Sequence, residues 1–299
     1  MSLALDRQRF IIMRILSQTS VVCLLFGLSF AKDVPAFFIF GDSLVDVGNN
    51  FYIKTSAKPV FPNGIDFGNE YGVPSGRYSN ARLVPDIIGQ ELGFKNFTPP
   101  CLVPTTVGDV ILNGELTLAL RMKSVTLRKQ GKTSYRILEA KKLLREAIYL
   151  LFISSNDVIF NFIGADSGAA LDTIISSLRS QLSRLYKLDA RKFVVGNCGP
   201  FGCIPSVRDA FAVTDGCVSP ANQRAQSYNK KLKPILEELT KNLSGSLYVQ
   251  AGIYVVFFDI IQNYISYESA NLIAVKNLVD GGLNYIFTNE FENCGTTYL

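Results

Sequence analysis

The chain has 299 residues, 48% of them hydrophobic and 18% charged, with a net charge of +5. That composition excludes a disordered chain, and the charge is too small to argue for nucleic acid. The length suits one large domain with a sizeable core.

Residues 1–31 read as a secretory signal: Arg7, Arg9 and Arg14, an apolar run from Val21 to Phe30, and the small-x-small site Ser29-Phe30-Ala31. The run is about half of the ~20 residues a membrane span needs, and no later stretch is long and apolar enough to replace it. The expected location is therefore extracellular, with residues 32–299 as a single domain.

Phe37-Phe38-Ile39-Phe40 then runs straight into Gly41-Asp42-Ser43-Leu44. An unbroken apolar run of this kind predicts a strand buried on both faces. Ligands in open α/β sheets bind beyond the carboxyl ends of strands, so Ser43 stands at a nucleophile position. A serine after a buried strand also serves as a turn or cap residue, and position alone leaves both roles open. Asp46, Gly48, Asn49 and Asn50 supply turn chemistry.

Residues 61–93 are rich in Gly, Pro and Asn, with a helix expected over Leu83–Leu92 and Pro85 near its start. Segment 115–142 gathers Arg121, Lys123, Arg128, Lys129, Lys132, Arg136, Lys141 and Lys142 against Glu139, and is expected to be a solvated connector. Leu150–Ile153 predicts a second strand, ending at Ser154-Ser155-Asn156-Asp157. Residues 171–188 carry apolar positions at helical spacing, and Phe193–Gly196 is a third strand. Residues 218–243 predict a long helix, with Ser219 a possible cap and Pro220 in its first turn. Tyr248-Val249 and Tyr254–Phe258 read as further strand, ending near Asp259. Leu272–Val279 and Tyr285–Phe287 read as a short helix and strand. Strands alternating with helices predict a parallel sheet covered on both faces.

The blocks Gly41-Asp42-Ser43-Leu44, Gly48-Asn49-Asn50, Gly64-Ile65-Asp66-Phe67, Gly76-Arg77-Tyr78-Ser79-Asn80, Gly199-Pro200-Phe201-Gly202-Cys203-Ile204-Pro205 and Tyr228-Asn229 occur in one order. In that order they resemble the plant GDSL esterase/lipase family of the SGNH hydrolase group, over roughly residues 34–114 and 143–267. The resemblance implies a three-layer α/β/α domain with a mostly parallel, flavodoxin-like sheet, expected to be incomplete at the C-terminus. It implies a secreted hydrolase of carboxylic esters, lipid or other acyl esters, that uses no cofactor. It carries Ser43 as nucleophile and Asn156 as an oxyanion-hole donor. The oxyanion glycine has no clear counterpart: Gly114 is a weak candidate, and Ala119-Leu120-Arg121 falls near its place. Segments 115–142 and 268–299 depart from the pattern.

The family's base is a histidine in an Asp-x-x-His block, and this chain contains no histidine. No other side chain has an ordinary pKa poised near neutrality, and Asp259 would be a weak substitute. Loss of one triad member typically leaves roughly 10³–10⁴-fold catalysis over water. A truncated, catalytically impaired relative or a secreted binding protein is therefore the alternative expectation.

Of six cysteines, Cys23 lies in the signal, and Cys203 and Cys217, flanking a short polar loop, are the preferred disulfide. No C-x-x-C or Cys/His cluster points to a metal. Asn96-Phe97-Thr98 and Asn242-Leu243-Ser244 are glycosylation acceptors. The expected partner is a small-molecule ester or lipid, and no motif sets an oligomeric state.

Overall fold

A computed structural model describes residues 34–55, 58–59, 61–67, 73–104, 116–120, 134–153, 155–163 and 168–263. The signal-like segment, Gly114, Arg121 and the helix and strand expected after residue 271 lie outside them.

Among the described residues five parallel strands form the sheet: β1 (Ala36–Gly41), β2 (Leu116–Leu120), β3 (Ile148–Phe152), β4 (Lys192–Gly196) and β5 (Leu247–Ala251). Their spatial order is β2-β1-β3-β4-β5, the flavodoxin-like arrangement. Strand residues alternate between two apolar clusters, as the two-residue period of a pleated strand requires. Phe38, Phe40, Tyr149 and Leu151 pack on one face with α3 (Ser155–Ile163), α4 (Gly168–Lys187) and α6 (Ser219–Asn242). Phe37, Ile39 and Leu150 pack on the other beside Leu92 and Phe94, which follow α1 (Val84–Glu91). The three-layer architecture follows from that division.

One aromatic residue from each of four strands occupies the same register row: Phe38, Tyr149, Phe193 and Tyr248. Neighbouring ring centroids are 5.2, 5.3 and 4.3 Å apart, with Phe193 and Tyr248 stacked at 3°. This row ties β1, β3, β4 and β5 together on the face covered by α6, adding ring contacts to simple area burial.

Three expectations need correction. Tyr254–Phe258 is not strand but part of a helix, α7 (Ile253–Gln262). The Asn197 side chain accepts the Tyr254 N–H at 2.9 Å and fixes the helix start, while Tyr254 and Phe258, one turn apart, stack at 5.7 Å. Tertiary anchoring thus overrides the strand preference of a β-branched and aromatic run. Segment 115–142 is not merely a connector either. Its residues 116–120 form β2, paired with β1 from Ala36↔Leu116 to Phe40↔Leu120, and residues 134–142 belong to α2 (Ser134–Glu146). Just beyond the segment, Leu143 and Leu144 rest on the main core. At α6 the cap position is Val218 without a side-chain bond, and Ser219 is the first helical residue. The short helix α5 (Pro205–Ala210) and 3-10 helices at Asn49–Tyr52 and Phe201–Cys203 lie between these elements.

Among the described residues no helix is long and apolar enough to cross a membrane.

Candidate active site

The chain leaves β1 through a turn in which the Val45 N–H donates to the Asp42 carbonyl at 3.2 Å. The Leu44 N–H donates to Asp42 Oδ1 at the same distance, so Ser43 is held at the turn's tip, partly exposed. Gly41 is obligatory at the strand end. A Cβ there would collide with Val45 Cγ2 and lie 2.6 Å from the Phe152 carbonyl oxygen. Gly196 does the same service on β4, where a Cβ would come within 2.7 Å of the Phe152 ring.

β1 and β3 are neighbours, with Gly41 opposite Phe152, and the direction of sheet winding reverses between them. That switch point is where open α/β sheets bind ligands. Ser43 lies two residues past Gly41, and Asn156 four past Phe152 at the start of α3.

The groups flanking them converge. Burial pushes the Asp42 carboxyl up to about 6, against the pull of the Leu44 N–H, and the negative charge of Asp157 adds to the rise. Cys198, two residues past the end of β4, is buried, and that burial pushes its thiol up to about 12. Its thiol bonds to Ser155 and feels both Asp42 and Asp157. Three strand ends therefore meet at one place, bringing the neighbours of Ser43 and of Asn156 into electrostatic contact. A thiol held this high stays protonated at neutral pH.

The loop after β4 is built by asparagines of α6. Asn229 grips Cys198 on both sides, accepting its N–H at 2.8 Å and donating to its carbonyl at 2.9 Å. Asn222 accepts the Gly202 N–H at 2.8 Å. Residues Cys203 and Cys217 are joined by a disulfide across 14 positions, bracing the same loop. The Tyr228-Asn229 and Gly199–Pro205 blocks are thus two halves of one support.

On the other side, the irregular segment after Ser43 is held by buried polar groups. Asp46 accepts the N–H groups of Gly48, Asn49 and Asn50 at 3.0, 2.7 and 3.3 Å. The Arg77 guanidinium forks onto buried Asp86 at 2.6 and 3.2 Å and donates to the Thr98 carbonyl at 3.0 Å. Asp86 in turn accepts the N–H groups of Leu83 and Thr98. Asn50 donates to the Tyr78 hydroxyl at 2.9 Å, and Asn80 accepts the Ile65 N–H at the same distance.

Of the residues singled out by sequence, Ser43 and Asn156 lie at adjoining strand ends, Asn96 and Asn242 are exposed, and Gly114 falls outside the described residues. The carboxylate considered as a substitute base, Asp259, sits on α7 and accepts the side-chain amide of Asn263 at 2.8 Å. Sequence reasoning missed Ser155, Asp157 and Cys198 as a group, since nothing in spacing announces that three strand ends meet. Among the described residues no cluster of His, Cys, Asp or Glu could hold a metal ion. A cleft of about 610 Å³ lined by Arg145, Arg191, Lys192 and Leu247 lies at the opposite, N-terminal ends of β4 and β5, away from these groups.

Residues 37–297 match the family described as GDSL-like lipase/acylhydrolase. The match spans segment 115–142 and extends past residue 267. Three proteins of Arabidopsis thaliana are similar to this chain. GDSL esterase/lipase At4g16230 is 41% identical over 269 residues, covering 79% of this chain and 72% of that one. GDSL esterase/lipase At2g23540 is 38% identical over 270 residues, covering 78% and 69%. GDSL esterase/lipase At3g50400 is 36% identical over 271 residues, covering 79% and 72%.

Proposed function

The chain belongs to the GDSL-like lipase/acylhydrolase family, and from that premise we propose that it cleaves carboxylic esters by acyl transfer through the Ser43 hydroxyl. The observation that carries the reading is the position of Ser43 at the β1 terminus, beside the β3 terminus that presents Asn156. In the first step Ser43 Oγ attacks the ester carbonyl carbon, and the carbonyl oxygen takes on negative charge. Donors aimed at that oxygen lower the barrier, and the Asn156 amide and the Ser43 N–H are the groups proposed for it. Collapse breaks the bond to the alkoxy oxygen, which leaves as the alcohol with the proton that Ser43 gave up, and water then hydrolyses the acyl-serine to the free acid and Ser43. The supports described above, Asn229 on the β4 loop and Asp46 on the β1 loop, hold the strand ends at fixed positions for this chemistry.

Secretion is the proposed location, on the strength of residues 1–31, and Asn96 and Asn242, both exposed, are the proposed glycan acceptors.

A second reading is favoured by one observation: the 299 residues contain no histidine. The proton of Ser43 then has no imidazole acceptor among them, and a chain that binds esters while turning them over feebly is the outcome. A serine-directed phosphonate separates the two. Labelling of the wild type that is lost in Ser43→Ala, together with turnover of a short-chain p-nitrophenyl ester, supports the hydrolase. A cooperatively folded wild type that neither labels nor turns over supports the impaired relative.

A further inference from the structure

The segment that follows the candidate nucleophile displays aromatic rings to solvent from a base held by hydrogen bonds. The short 3-10 helix Asn49–Tyr52 is anchored by the three amide bonds to Asp46. It is anchored again by Asn50 on Tyr78 at 2.9 Å and by the Leu102 N–H on Asn49 Oδ1 at 3.2 Å. Gly48, at φ +121°, lets the helix close against the Gly76 carbonyl. From this base Phe51 and Tyr52 project 51% and 47% exposed, edge to face at 6.2 Å. Phe61, further along the same excursion, is 70% exposed.

The charge of the excursion is one-sided. Between Asp46 and Asp66 the sequence holds no acid and two lysines, Lys54 and Lys58, both exposed. The Lys58 ammonium reaches back to 5.8 Å from the Phe51 ring centroid. A ring flanked by lysines suits a boundary where apolar groups enter an acyl layer and ammonium groups stay among anionic headgroups.

We propose that Phe51, Tyr52 and Phe61, with Lys54 and Lys58, form a docking surface for anionic lipid bilayers. The inference deepens the ester-hydrolase reading, on which its purpose rests: the surface begins eight residues past Ser43, on the loop that leaves β1, so docking holds that loop at a layer that contains acyl esters. Binding itself requires no turnover, so the two ideas fail separately.

The chain contains no tryptophan, so Phe51→Trp places a single fluorescent reporter on the surface. With phosphatidylcholine vesicles containing phosphatidylglycerol, its emission is expected to shift to the blue, and to shift less with phosphatidylcholine alone. In flotation assays with the same vesicles, Phe51→Ser combined with Phe61→Ser should cut the bound fraction roughly tenfold. Lys54→Glu with Lys58→Glu should abolish the preference for anionic vesicles, and added salt should mimic it. All four positions are exposed, so circular dichroism and melting should match the wild type. No blue shift, or equal flotation of wild type and variants, overturns the proposal. Flotation of a wild type that hydrolyses no ester leaves the docking surface standing and defeats only the hydrolase reading.

Discussion

The two flanks of the candidate site are held together by different physics. On one side, α3, α4 and α6 press an almost wholly apolar layer onto the aromatic row of the sheet, with Phe193, Leu182 and Leu232 at most 1% exposed. On the other, the described residues between 42 and 102 meet the sheet through a smaller apolar cluster, with Leu44, Val45, Ile88, Leu92 and Phe94. Their order rests on hydrogen bonds made by Asp46, Arg77, Asp86 and Asn50. Apolar burial is forgiving of detail, because area counts more than direction. A buried polar network is stiff and fails at once when one member is lost, since its partner is left desolvated and unpaired.

The first way to break the contrast is at the centre of the apolar flank. Phe193→Ala removes a buried ring that contacts both Tyr149 and Tyr248. It should lower the unfolding free energy by about 4 kcal/mol, measured by urea titration. Any other large apolar residue at that position should recover most of the loss. Next in size comes Arg77→Ala on the polar flank, expected at about 3 kcal/mol because the Asp86 carboxylate stays buried without its countercharge. Here a larger apolar group at Arg77 should recover little alone. Combining Arg77→Met with Asp86→Leu should recover a good part, since the unpaired charge then disappears. If single and double variants prove equally unstable, the pair is not what orders this flank.

That difference also explains what could be read from the sequence. The helix over 168–187 advertises itself through apolar spacing, the helix over 219–242 through Pro220 in its first turn, and the strands at 36–41, 148–152 and 192–196 through short apolar runs, because apolar burial leaves a mark on local sequence. The Arg77–Asp86 fork and the amides closed by Asp46 leave no period. They appear only as short motifs, whose residues are named by resemblance and explained by geometry. α7 went unread for a related reason: its start is fixed by Asn197, more than fifty residues away, and no local signal carries that bond. The meeting of Asp42, Ser155, Asp157 and Cys198 is likewise a product of strand order, which the chain sequence of elements does not declare.

A third prediction probes the seam between the flanks, at Asp42. Its carboxyl is raised to about 6 from an ordinary value of 3.8, so the folded chain holds a proton that the unfolded chain has already lost between those pH values. Stability attributable to this group is therefore full below about pH 4 and falls as pH rises toward 6. Asp42→Asn keeps an oxygen for the Leu44 N–H and removes the charge near Asp157. It should stabilise the fold at pH 7 by about 2 kcal/mol, discounted for the partial exposure of the residue, with the gain vanishing near pH 4. Melting curves of both proteins across that range test it. A gain that is the same at every pH would mean the carboxyl is not the group that titrates.

The smallest effect sharpens the comparison most directly, because it holds geometry constant. Lys231 on α6 meets Asp172 on α4 at 2.6 Å, the separation found between Arg77 and Asp86. Its side chains are 42% and 66% exposed, against 6% and 0% for the buried pair. In water the Coulomb gain is small, the long lysine gives up rotamer freedom, and ions screen what remains. Lys231→Ala should therefore change the unfolding free energy by less than about 1 kcal/mol, and by nothing measurable at high salt, while the loss in Arg77→Ala persists there. Equal salt sensitivity in the two variants would show that distance rather than burial sets the worth of these pairs, and the contrast between the flanks would collapse.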